Sequence, residues 1–339
     1  MNSLASIIIL NFNGKKFLKD CFESLMNQTY QNFEIILIDN GSTDDSVEFI
    51  KKKFPEVKII LNKENLGFAY ANNQGFKIAK GKYFITLNND TKTDEKWLEN
   101  LILVAENDNK IGMVASKILS LKNPSLIDSV GVEICLNGMS RGRGRIEIDN
   151  GQYDRVEEIL LPSACAALYR KKMLEEIGFF DDKFFAYCED TDLGIRGRIA
   201  GWKTFLAPNA IVYHYYSGTA GKYSPLKAFL VERNHFWLVI KNFPLKLILF
   251  YPFFTFWYYI LHFYGILINR GSSSKFLKSF SLWSLLWSIL KAYPLAFCGL
   301  FKVLDDRRKI KKQQKISNKD FYLLLKKFRL SFKEVTLKE

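Results

Sequence analysis

Cysteine is sparse and scattered: Cys21, Cys135, Cys165, Cys188 and Cys298, with no C-x-x-C pair. That excludes a cysteine-rich zinc module and a disulfide framework, and it points to a reducing compartment. Glycine-rich phosphate cradles are missing too. After the first apolar segment there is only Gly14 where G-x-G-x-x-G would stand, and G-x-x-x-x-G-K-[ST] occurs nowhere, which excludes a dinucleotide fingerprint and a P-loop. The opening "MNSLASIIILNF" has no basic n-region and reads as a core strand, not as a signal peptide. Acidic side chains run short in one region. Residues 1–240 carry 30 basic and 30 acidic side chains, whereas residues 241–339 carry 19 basic and 5 acidic, so the whole formal charge of +14 sits there. Basic residues alternating with long apolar runs suit anionic lipid headgroups better than nucleic acid.

What is present alternates. "SIIILNF", "FEIILID", "VKIIL" and "YFITL" are apolar on both faces and are separated by helical patterns at Lys15–Met26, Ser46–Lys53 and Phe68–Ala79. This order predicts an α/β domain with a mostly parallel sheet covered on both sides, and a ligand site at the carboxyl ends of its strands. Three loops there are unusually polar: "NFNG", "DNGSTDD" and "NNDT". From Ile111 the alternation loosens, and the second half of the domain is expected to hold an acceptor. Residues 247–268 are an apolar run long enough to cross a bilayer; residues 279–301 form a second, interrupted by Lys291 and Pro294. The organisation expected is a catalytic domain over 1–242, a membrane-associated helical region over 243–304 and a basic tail over 305–339.

A diphosphate without a glycine cradle is neutralised by a divalent cation on oxygen ligands, and Asp90, at the end of "YFITLNND", is the candidate. With "SIIILNFNG", "IDNGSTD", "NLGFAYANNQG", "LNNDT", "CEDTDL" and "VYHYYSGTAGK" in that order, residues 4–235 resemble a family 2 glycosyltransferase with the GT-A fold, a Rossmann-like nucleotide-diphospho-sugar transferase sheet.

The resemblance implies roles. Asn11 and Asn13 belong to the first nucleotide-binding loop, and Asp39 stands where the family bonds the nucleotide base. Ser42 and Asp45 also have capping-box spacing. Asn65, Gly67, Asn72 and Asn73 lie where a helix start packs against the nucleotide. Asn88, Asn89 and Asp90 match the metal-binding D-x-D position, with amides replacing the earlier carboxylate, so that Mg²⁺ or Mn²⁺ arrives largely with the donor on Asp90, while Asn88 and Asn89 contact the ribose or phosphate of the nucleotide. Asp190 is the expected base for the acceptor hydroxyl, supported by Glu189; Asp192 suits a helix N-terminus. His214 is a further metal or diphosphate ligand, and Lys222 reaches toward the diphosphate.

The activity implied is inverting transfer from a nucleoside-diphosphate sugar to a hydroxyl of a glycan or lipid-linked saccharide in cell-surface polysaccharide synthesis. Resemblance to rhamnosyltransferases makes dTDP-rhamnose the first donor and a UDP-hexose the alternative. The expected location is the cytoplasmic face of the cell membrane. Helices lying in the interface or re-entering it keep the loop at 269–278 on that face with the other basic segments. A basic nucleic-acid-binding protein, suggested by "RGRGR", and a silent scaffold of the same fold are the competing classes.

Overall fold

A computed structural model describes residues 3–215 and 223–338. The chain divides into two units, Met1–Val132 with Gly142–Ala220, and Glu133–Arg141 with Gly221–Glu339.

The first unit begins with β1 (Ala5–Asn11), α1 (Lys15–Met26), β2 (Phe33–Asp39), α2 (Ser46–Lys53), β3 (Lys58–Leu61), α3 (Phe68–Ile78) and β4 (Tyr83–Asn88). It continues with β5 (Thr91–Thr93), α4 (Trp97–Glu106), β6 (Ile111–Ser120) and β7 (Ile127–Ser129). A hairpin of β8 (Val132–Ile134) and β9 (Ser140–Gly142) follows, most of it assigned to the second unit. Then come β10 (Glu157–Glu158), β11 (Ala166–Arg170), α5 (Lys171–Ile177), α6 (Glu189–Ile199) and β12 (Lys203–His214).

The main sheet runs β10-β12-β6-β11-β4-β1-β2-β3, with β5 on β12 and β7 on β6. β4, β1, β2 and β3 are parallel, as their sequence pattern predicts, whereas β11 is antiparallel to both β4 and β6. Strand residues alternate between two cores. Ile7 and Ile9 pack in one with Leu18 and Trp97, and Ile8 packs in the other with Ile36, Ile38 and Phe76. Each fully buried isoleucine is worth about 1.5–3 kcal/mol, so register is strongly fixed. Asn11 pairs with Asp39 and Leu10 with Asn88, which brings the polar ends of β1, β2 and β4 to one edge.

The second unit contains α7 (Pro225–Asn242), α8 (Leu245–Leu267), α9 (Gly271–Leu277), α10 (Leu282–Cys298), α11 (Leu300–Gln313), α12 (Asn318–Lys327) and α13 (Phe332–Leu337). Two expected boundaries shift here. α7 packs against α10 and α11 and so joins the helical unit, although it precedes residue 242; and α11 runs through position 305, where the tail was expected to begin. The 269–278 segment, read as a loop, contains α9.

α8 is turned inside out for a water-soluble helix. Its buried stripe includes Tyr251, Thr255 and Tyr258, while Leu249 (72% exposed), Phe253, Phe256, Phe263 and Leu267 (67%) face outward. Two hydroxyls here have partners: Tyr251 Oη lies 3.0 Å from His235 Nε2, and the neighbouring Tyr259 donates to Glu232 at 2.7 Å, while the buried Thr255 hydroxyl has none among the described residues.

Candidate active site

At the carboxyl edge, the Asn11 amide donates to Asp39 Oδ1 at 2.9 Å and to Ser42 Oγ at 3.1 Å, and its carbonyl accepts from Asn89 at 2.7 Å. Asp39 Oδ2 accepts the Ser42 backbone N–H. Gly14 makes this possible: a Cβ there would stand 2.1 Å from Asn89 Nδ2 and 2.5 Å from Asn11 Oδ1. Asn13, in the left-handed region at φ 50°, accepts the Thr43 N–H. The structure thus joins Asn11, Asn13, Asp39 and Asn89, with Asn88 alongside on β4. Ser42 is not a helix cap. Its hydroxyl serves Asn11 and the Asn13 N–H, and α2 begins after Asp45 without a side-chain cap.

The other residues expected at the nucleotide are engaged differently. Asn65 Oδ1 accepts from the Gly67 N–H and from Asn40 Nδ2. Asn40 was not singled out from sequence, yet its side chain also bonds Gly67 O, Asn62 and the Leu66 N–H, tying the two loops together. Asn72 is buried and donates back to Phe68 O within α3, and Asn73 holds Phe180 and Asp182. The Phe68 and Ala69 N–H groups at the start of α3 both donate to Phe185 O. The Asn72 amide and the first N–H groups of α3 are thus bonded within the protein.

Asp90 follows β4 in a tight turn, and β5 then pairs Thr91 with His214 of β12, a register that carries the histidine to the carboxylate. His214 Nε2 lies 3.2 Å from Asp90 Oδ1, and Nδ1 lies 2.7 Å from Asp128 Oδ2. Burial alone would push the His214 imidazolium down, but Cys165, Asp128 and Asp90 outweigh it and hold the group well above the usual histidine range. The Cys165 thiol is itself pushed up by burial and is uncharged near neutral pH, so the two carboxylates are the effective cause. Asp128 escaped the sequence reading; its only signal was a lone carboxylate in the apolar "LIDSVGV".

Donor atoms 3.2 Å apart match the roughly 3 Å separation of adjacent ligands each about 2.1 Å from one cation. A carboxylate on the far imidazole nitrogen is the usual outer support for a metal-bound histidine. The residues fit a divalent ion as an open pair. Among the described residues no group of three or more His, Cys, Asp or Glu is arranged to hold one unaided.

Asp190 lies at the start of α6 and accepts N–H bonds from Ala164 at 3.3 Å and from Thr191 at 2.6 Å. Ala164 immediately precedes Cys165, whose carbonyl accepts from Asn88, so one short segment ties the Asp190 carboxylate to the end of β4. Burial pushes Asp190 above the usual aspartate range despite these bonds. Glu189 is 6% exposed, and its Oε2 has no partner; burial, then the neighbouring Asp190 charge, hold it well above the usual glutamate range. The approach to α6 is unusual: Phe185, Tyr187 and Cys188 all have φ between 61° and 69°. Asp192 is structural, buried and paired with Arg196 at 2.8 Å. Lys222 lies outside the described residues.

A sheet edge of this kind, with a polar cradle, an Asp–His pair and a second carboxylate pair, belongs to an α/β protein whose polar site lies at the carboxyl ends of its strands. The glycosyl transferase family 2 model matches residues 6–178, half of the chain, and the protein belongs to that family. The chain is similar to an uncharacterized glycosyltransferase of Haemophilus influenzae, 36% identical over 33% of this chain and 36% of the relative. It is also similar to the dolichyl N-acetyl-alpha-D-glucosaminyl phosphate 3-beta-D-2,3-diacetamido-2,3-dideoxy-beta-D-glucuronosyltransferase of Methanococcus voltae, 26% identical over 68% of this chain and 75% of the relative. The matches span only about a third of the first two relatives' length. Among solved structures, GalNAc-T7 with UDP, GalNAc and Mn²⁺ superposes with a TM-score of 0.59 at 17% identity, covering 74% of this chain and 49% of that one. The fold is GT-A.

Proposed function

We propose that the protein is a membrane-attached, metal-dependent inverting glycosyltransferase that moves a sugar from a nucleoside diphosphate to a hydroxyl of a glycan or lipid-linked saccharide. The observation that carries this is the meeting, in one unit, of the Asp90–His214 pair with the Asn11–Asp39 cradle and the Glu189–Asp190 carboxylates. Asp39 has lone pairs left to accept a base N–H beyond the bonds from Asn11 and Ser42. Asp90 and His214 would hold the cation, and a mixed oxygen and nitrogen pair suits Mn²⁺ better than Mg²⁺. When bound, such an ion neutralises charge on the departing diphosphate.

Asp190 takes the proton of the acceptor hydroxyl as that oxygen bonds to the anomeric carbon and the bond to the diphosphate breaks, which inverts the configuration. A raised pKa makes Asp190 a stronger base than an exposed aspartate. Glu189, holding its proton, prevents a second negative charge beside it.

The outward apolar face of α8 supports membrane attachment. Leu245–Leu267 is long and apolar enough to cross a bilayer, and only 28% of its most apolar window is buried, which opposes a soluble bundle. α10 and α11 together are also long and apolar enough to cross one, but they bend by 62°, as a broken or re-entrant span does. The cytoplasmic face follows from the basic character of residues 241–339. Against nucleic acid, the arginines of "RGRGR" are occupied: Arg141 on Glu334 O, Arg143 on Glu157, Arg145 near Asp128. The test is transfer and hydrolysis across dTDP-, UDP- and GDP-sugars with Mn²⁺ or Mg²⁺, dTDP-rhamnose first and UDP-hexoses next. No turnover of any nucleotide sugar would overturn the reading.

A further inference from the structure

The second unit contains a cavity of about 650 Å³ between the start of α8, the start of α12 and the β8–β9 hairpin. Its wall is apolar and aromatic: Leu136, Leu247, Phe250, Phe253, Phe254 and Tyr322. The charged side chains around it are Lys246 and Lys319, both exposed, and no carboxylate lines it. Among the described residues neither ammonium is paired with an acid, whereas Lys311, just behind, is tied to Asn318 of the same wall at 2.9 Å. Phe250 and Phe253 are also part of the outward face of α8, 51% and 65% exposed, so the groove opens onto the surface assigned above to lipid.

An apolar slot with two uncompensated cations at its rim suits a single long hydrocarbon chain that ends in an anionic group, and phosphate, with its higher charge, suits the two cations best. The volume is that of an ordinary ligand pocket and takes a segment of one chain, whereas a two-chain phospholipid has to leave one tail outside. We propose that this groove binds the polyprenyl chain of a lipid-phosphate-linked acceptor, with Lys246 and Lys319 over its phosphate. The inference rests on the lipid-linked acceptor in the proposed function and assigns a place to the lipid.

The probe is a long-chain polyprenyl phosphate carrying a benzophenone on the chain, added to the full chain in detergent micelles and irradiated. Labelling is expected in the peptides around 246–254 and 318–322, competed by unlabelled polyprenyl phosphate and not by phosphatidic acid. Leu136→Trp fills the slot, and excluding even two methylenes lowers labelling by about tenfold. The Lys246→Glu, Lys319→Glu double variant, altered only at exposed positions, lowers it by about tenfold or more. Equal competition by phosphatidic acid, labelling spread along the outward face of α8 and α10, or unchanged labelling in the double variant would each overturn the groove. The same variants separate this from the enzymatic reading. Donor hydrolysis and transfer to a water-soluble saccharide stay at the wild-type level in both, so their absence from the wild type counts against the transferase and not against the groove.

Discussion

Glu189→Gln tests the protonation of the carboxylate pair through stability. Glu189 is buried, Oε2 is unpartnered, and its charged form faces Asp190, with Asp192 and Tyr169 also close enough to interact. Its folded pKa is therefore raised above the unfolded value of 4.5. Below that value both states hold the proton. Above it the unfolded chain releases the proton while the folded chain retains it, so stability falls by about 1.4 kcal/mol per pH unit until the folded pKa is reached. Glutamine carries no proton to release. From about pH 5 upward the stability of the variant relative to wild type should therefore rise, by up to about 1.4 kcal/mol per pH unit. In a unit of this size that is roughly 3–6 °C in Tm per pH unit. Any fixed cost of seating the glutamine amide cancels, because the readout is the change of the difference with pH, and Asp190 is present in both proteins. Thermal melts of the full chain in detergent, wild type beside variant across that range, give the measurement. A Tm difference independent of pH would mean that Glu189 ionises normally in the fold and that the proton is not held there.

Asp190→Asn should lower turnover by roughly two to four orders of magnitude with donor binding unchanged, read from single-turnover transfer beside nucleotide titration. Asp90→Ala should abolish Mn²⁺-dependent turnover, and Asp128→Asn, which touches His214 and not the donor, should weaken Mn²⁺ binding by roughly 10–100-fold, measured by spin-resonance titration. Full activity in excess chelator would remove the metal from the mechanism. Arg307 belongs to the basic segment expected to face lipid, but its guanidinium donates to Ile240 O and Phe243 O at the end of α7. Arg307→Ala should therefore lower Tm without changing preference for anionic vesicles, whereas neutralising the exposed Arg308, Lys309 and Lys312 should weaken that preference and leave Tm alone.

The first half of the sheet was legible because each segment carries its own period. Lys15–Met26 and Ser46–Lys53 end where the sequence places them, and the apolar strands between admit one register. Asp39 and Asp90 were legible at the same level, as polar ends of apolar strands. Asp128 and Asn40 were not. Asp128 becomes significant only because β7 pairs with β6 and β6 with β12, a long-range arrangement that sets it against a histidine 86 residues away. Asn40 looked like turn chemistry, and only the fold shows one amide bonding four groups of the next loop. Ser42 shows the converse: its spacing to Asp45 suits a cap, but the left-handed Asp45 starts α2, which leaves the hydroxyl for Asn11.

The carboxyl region turns on a question that hydropathy could not answer, namely which side of an aromatic helix faces its neighbours. "LILFYPFFTFWYYILHFYGILI" is apolar almost all round, and sequence alone permits a buried core helix. The fold turns Tyr251, Thr255 and Tyr258 inward beside Leu247 and Leu261, leaves Tyr264 exposed, and turns Phe250, Phe253, Phe256 and Phe263 outward. In water this is the costlier choice, because it exposes the larger apolar groups and buries hydroxyls that then need partners such as His235 and Glu232. In a bilayer the order reverses: hydrocarbon takes the phenylalanines at no cost, and the hydroxyls gain by bonding inside the bundle. The inward tyrosines therefore bear on the solvent of this unit more directly than its length does. Replacing Tyr259 with Phe, which removes the bond to Glu232 without changing shape, should destabilise the helical unit while leaving the outward face intact. Vesicle binding that falls in parallel with the loss of this internal bond would show that the apolar face acts only as part of the folded bundle, whereas unchanged binding would show that α8 enters the membrane independently.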